Sequence, residues 1–179
     1  MNQQLQKKFD ELENNRKQLL DSIRVLSTEA LNTKPDEKSW SVATIIKHLM
    51  LAEEMSLKYL EKKTQDTGRA DKTGLKNIWR MLLVRGVFFL DVKFKAPAIV
   101  TPEVSNETLA HLEQQWSATR ADICKILNAL SEEDLQKELW KHAIAGKLNV
   151  VQMLDFFALH TKRHTAQIQR TVRAVHHPH

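Results

Sequence analysis

This sequence predicts an all-α four-helix bundle with an elaborated crossover between the second and third long helices. Three observations carry that expectation. Only 4 Gly and 4 Pro serve 179 residues, fewer than turn-dense sandwiches and barrels require. Four long segments repeat apolar side chains at steps of three and four, the stripe of an amphipathic helix. The chain is 42% hydrophobic and 27% charged, ordinary for one soluble domain. Folding at this size buries about 70% of the unfolded chain's surface, so a core forms without disulfide or metal staples.

The first helix is expected over 3–26, on the stripe Leu5, Phe9, Leu12, Leu19, Ile23 and Leu26. A polar link with Pro35 comes next, and Ser41 is a side-chain cap for a second helix over 42–63, with Ile45, Leu49, Ala52, Leu57 and Leu60 on its apolar face. Residues 64–74 read as an exposed loop. Residues 75–94 are unusually apolar and read as a helical insertion that packs on the bundle or lines a pocket, with Trp79, Met81 and Phe88 as candidate walls. Arg80, Arg85, Lys93 and Lys95 flank it, so a membrane-surface role is the competing reading. Pro97 and Pro102 break the helix. A third helix is expected over 106–130, capped by Ser105. Ser131-Glu132-Glu133-Asp134 opens a short helix, and Asn149 with Gln152 forms a capping box for a fourth running to about 172. One domain over 1–175 results, with a frayed, disordered tail at 176–179.

Composition excludes several function classes. The single cysteine, Cys124, forms no internal disulfide and rules out Cys-rich zinc and iron–sulfur modules. No uncharged apolar run approaches the roughly 18 residues of a membrane span, and the polar, helical opening is unlike a secretory signal. A reducing, cytoplasmic location is expected. The net charge is +5. Between Lys58 and Lys95 stand 10 basic and 4 acidic residues, a net of +6, leaving 17 against 18 elsewhere. No aromatic RNA-binding motif or finger spacing accompanies that segment, so no specific nucleic-acid partner is expected.

Three of the 8 histidines carry the chemistry. His160 and His164 are one helical turn apart, so both rings leave the same face, and that face carries Val150, Leu154, Phe157, Thr161, Ile168 and Val172. His48 lies between Ile45 and Ala52 on the buried face of the second helix. A polar ring in an apolar core needs a partner or forfeits about 1–3 kcal/mol of hydrogen bonding. A divalent cation is the simplest common partner, and imidazole suits Zn, Ni or Fe. Spacing alone leaves this open beside ordinary hydrogen-bonded core histidines. Asp155 and Gln167 are candidates to orient a ligand ring. Cys124, His111 and His142 read as packing, surface or capping residues.

Trp40-Ser41-Val42 with His48-Leu49 and Glu53, and later Leu159-His160 with Arg163-His164 and Gln167, resemble the two halves of the signature of the DinB/YfiT-like metal-binding four-helix-bundle family. The resemblance spans most of the chain in element order. It implies a divalent metal held by His48, His160 and His164, a small-molecule substrate and a homodimer. It also implies metal-dependent chemistry on low-molecular-weight thiols, by S-transfer, or hydrolysis. A non-catalytic metal-binding or stress-associated interaction protein is the other expectation.

Overall fold

The computed structural model describes residues 1–65, 68, 70–89, 102 and 104–176. Asn2 begins the first helix, its side-chain oxygen accepting from the backbone N–H groups of Gln4 and Leu5. The order is α1 (Gln3–Ser22), α2 (Thr28–Asn32), α3 (Val42–Thr64), α4 (Leu75–Phe89), α5 (Leu109–Ala129), a 3-10 turn (Asp134–Gln136), β1 (Trp140–His142), β2 (Gly146–Leu148) and α6 (Val150–His176). The long helices α1, α3, α5 and α6 form the bundle, with α1 on α6 and α3 on both α5 and α6. The architecture is the expected all-α one.

Caps account for most boundaries. Ser41 Oγ accepts from Thr44 N–H at 3.2 Å and opens α3 where expected. Asn149 and Gln152 exchange both capping-box bonds, at 2.8 and 3.1 Å, at the head of α6. Four boundaries differ from the sequence expectation. The first helix stops at Ser22, and Ser27 caps a separate short helix, α2. Thr108, not Ser105, caps α5. Asn106 has φ 56°, a left-handed conformation no helix interior holds, so the helix cannot begin there. Ser131 and Asp134 bond reciprocally as the motif requires, yet they open only a single 3-10 turn. The last helix runs past 172 to His176, so only 177–179 of the expected tail remain, and these lie outside the described residues. So do Lys93, Lys95, Pro97 and the crossover over 90–101.

The hairpin β1–β2 was not expected. It is antiparallel, pairing Trp140 with Leu148 and His142 with Gly146. The supposed loop before α4 is also tied down, since Thr73 N–H donates to Gln136 O and Glu138 N–H to Asp71 O. Against this edge sits α4. Asn77 is 1% exposed, and its side-chain amide donates to Glu138 Oε1 at 2.7 Å and to Lys147 O at 3.0 Å. Three cations of the basic segment are engaged here: Lys76 and Arg80 stand 3.6 and 3.8 Å from Glu138, and Arg85 3.3 Å from Asp155. Met81 and Val84 of α4 enter the core, as packing against the bundle requires.

Two apolar clusters fill the bundle. One gathers Leu5, Phe9, Leu12, Leu57, Leu60, Leu127 and the first turns of α6 with the hairpin. The other gathers Leu19, Leu20, the first half of α3, Leu112, Trp116 and Ile168. Glu53 and Arg120, each 2% exposed, form a charged pair within the bundle. Arg120 donates to the two Glu53 oxygens at 2.6 Å each, and Trp116 Nε1 donates to Glu53 Oε2 at 2.9 Å. Arg120 also lies 3.5 Å from Glu13, so α1, α3 and α5 meet at one charge network.

Candidate metal centre

His48 is carried on α3 two turns after its cap, and His160 and His164 lie midway along α6. The three side chains are 5%, 9% and 9% exposed. Their Nε2 atoms converge: His160 lies 3.2 Å from His48 and 3.1 Å from His164. All three ligand atoms lie within 4.8 Å of one another, and among the described residues no carboxylate or thiol joins them at that reach.

Two nitrogens at such a distance share at most one proton, so three around one point leave lone pairs facing one another. A cation at the shared point removes that conflict. The two separations from His160 fit one: ligands about 2.0–2.1 Å from a tetrahedral Zn lie roughly 3.3 Å apart. The tautomer fits too. Gln167 Oε1 accepts from His164 Nδ1 at 2.8 Å, leaving the Nε2 lone pair turned to the centre. Burial holds His160 well below the ordinary imidazole value, and the other rings and Arg163 push the same way. Burial, His48 and Arg163 bring His164 down to about 4, although the Gln167 bond opposes them. Both rings are therefore neutral at pH 7, the form that binds metal.

Aromatic rings surround the cluster. Phe156 stacks on His160 at 5.1 Å and 21°. Phe88, from α4, reaches the edge of His160 at 6.2 Å, and Trp40 lies 5.1 Å from His48. Arg163 stands over Phe88 at 5.6 Å. The arrangement is a ring of nitrogen donors with apolar walls and a cation at its side.

Other expectations separate. Gln167 orients a cluster ring; Asp155 does not, being paired with Arg85 and Lys8. Phe88 is near the cluster, Met81 is core, and Trp79 is 68% exposed and walls nothing among the described residues. His111 is exposed and pairs with Glu107 at 2.7 Å. The His142 ring accepts from the backbone N–H groups of Ile144 and Ala145, a turn role. Cys124 is half-buried beside Asn128. Sequence reasoning missed Phe156, whose spacing of four before His160 was the available signal. It also missed Arg120, four residues after Trp116 and three before Ile123 on the buried stripe.

A family model described as the DinB superfamily matches residues 11–168. A curated relative, the uncharacterized protein YuaE of Bacillus subtilis (strain 168), is 26% identical over 147 residues, covering 82% of this chain and 86% of that protein.

Proposed function

The chain belongs to the DinB superfamily, and from that premise we propose that His48, His160 and His164 hold one divalent metal, Zn, Ni or Fe, in a metal-dependent enzyme. The reaction is transfer of a low-molecular-weight thiol to an electrophilic small molecule, or hydrolysis. The observation that carries the reading is the meeting of three buried histidine Nε2 atoms at one point.

When bound, such an ion favours thiolate over thiol, or lowers the pKa of a water, beside the electrophile. The chain's own residues do the rest. The imidazoles supply three neutral donors and no negative charge, which leaves the centre cationic and open to an anionic fourth partner. Arg163 adds positive potential on the same side. Gln167 fixes the His164 tautomer. Phe156, Phe88 and Trp40 keep bulk water from the rings and offer an apolar surface to the electrophile's body. The reading places the enzyme in a reducing cytoplasm, as a homodimer; no helix among the described residues is long and apolar enough to cross a membrane.

The second reading is a metal-binding or stress-associated interaction protein in which the same three nitrogens hold the ion without turnover. Metal-loaded protein assayed with a panel of thiols and electrophiles, beside His48→Ala, separates the two. Turnover abolished by the substitution supports the enzyme; equal rates in both remove it.

A further inference from the structure

Among the described residues, the outer face of α4 is left largely uncovered. Leu75, Ile78, Trp79, Leu82 and Leu83 are 77%, 55%, 68%, 48% and 69% exposed. Their spacing of three, one, three and one is an apolar helical stripe, on the side away from Met81 and Val84, which enter the core. From those exposures the stripe presents on the order of 700 Å², beyond the roughly 300–600 Å² of the largest patch on a typical monomer. It is close to the roughly 800 Å² each partner contributes to a standard interface.

We infer that this stripe of α4 is the surface through which two copies of the chain pair, α4 against α4 across a two-fold axis. The pattern is self-complementary. Trp79 stands at its middle, so an antiparallel arrangement puts Leu75 of one copy opposite Leu83 of the other, with the two Trp79 rings at the axis, as an isologous contact requires. A tryptophan at the centre, flanked by aliphatic side chains that exclude water, is where an interface hot spot falls. Antiparallel helices also set opposite dipole ends side by side.

Charge argues against a lipid surface for the same face. An interfacial helix needs free cations for anionic headgroups. On α4, Lys76 and Arg80 both approach Glu138, and Arg85 shares Asp155 with Lys8, so each of these three cations is tied to a carboxylate of the same chain. An apolar stripe whose described flanking cations are turned to carboxylates of the bundle suits an equally apolar partner.

The inference rests on the homodimer reading for the partner's identity, not on the metal. Sedimentation velocity at tens of micromolar tests it, with the full chain, beside Trp79→Gln/Leu83→Glu. Both substituted side chains face solvent in the single chain, so far-UV circular dichroism stays unchanged. Wild type is expected at twice the 20.7 kDa chain mass and the double variant at the single mass, a weakening of roughly a hundredfold or more for loss of the central residues. Mixing Leu75→Lys with Leu83→Glu is expected to restore pairing that each lacks alone, because the new charges meet across the axis. A dimer that survives the double substitution overturns the α4 surface and leaves pairing by another face. A wild-type monomer overturns both, and its co-sedimentation with phosphatidylserine vesicles would assign the stripe to a membrane instead.

Discussion

Glu53→Gln offers a sharp test of what locks α3 in the bundle. Glu53 accepts three bonds, two from Arg120 at 2.6 Å and one from Trp116 at 2.9 Å, with both charged side chains 2% exposed. Glutamine keeps the shape but removes the charge, and its amide nitrogen turns a donor toward a guanidinium that needs acceptors. Arg120 keeps one bond, to the glutamine carbonyl, and among the described residues its remaining anionic partner is Glu13, at 3.5 Å. Breaking one side of a buried pair costs about 3–5 kcal/mol, a large share of the roughly 5–15 kcal/mol that holds a domain together. At about 2–4 °C per kcal/mol for a chain of this size, the melting temperature falls by roughly 10 °C. Urea unfolding followed by circular dichroism reads it, with the midpoint lowered and the slope unchanged. Glu53→Leu/Arg120→Met removes both charges together and is expected to recover most of the loss, short of about 1–3 kcal/mol for the orphaned Trp116 N–H. A loss below about 1 kcal/mol in Glu53→Gln would refute the reasoning, because the pair would then not be buried and mutually dependent.

Three further outcomes are expected from the site and the caps. Gln167→Leu removes the acceptor that orients His164; it is expected to weaken metal binding about 10–100-fold in competition with a chelator, with helicity intact. His164 has a folded pKa of about 4 against an unfolded value of 6.5, so the unfolded chain binds the extra proton first. Metal-free protein therefore loses stability as pH falls through that window, by about 3 kcal/mol for this group, and a His164→Asn variant should show a correspondingly flatter urea-midpoint profile. Thr108→Ala should cost about 1 kcal/mol of stability, while Ser105→Ala should cost almost none, since only Thr108 caps α5.

Local hydrogen bonds and helical periodicity made much of this molecule legible. Ser41 and the Asn149–Gln152 box are contained within four residues each, so the sequence alone specifies them. His48, His160 and His164 were legible because each falls on a stripe whose apolar members define an interior. The β1–β2 hairpin was not legible, because strands of three residues carry no usable alternation and the turn lacks an Asn-Gly or Asp-Gly pair. The break after Ser22 was hidden by Ile23 and Leu26 continuing the stripe; the chain turns there because Ser27 satisfies a new helix. Trp40 and Phe88 meet the histidines only through the packing of distant elements, and no spacing announces such contacts. The outward stripe of α4 was visible as apolar sequence, but which side faced the bundle depended on Asn77 and Glu138 anchoring the helix.

Metal content of untagged protein, purified without a nickel column and measured by native mass and elemental analysis, tests the central claim most directly. About one divalent ion per chain is predicted for the wild type, and near-complete loss in His48→Ala and in His160→Ala/His164→Ala, with the fold retained. Full metal content in those variants, or a wild type that takes up no divalent ion when supplied with Zn, Ni or Fe, would contradict it.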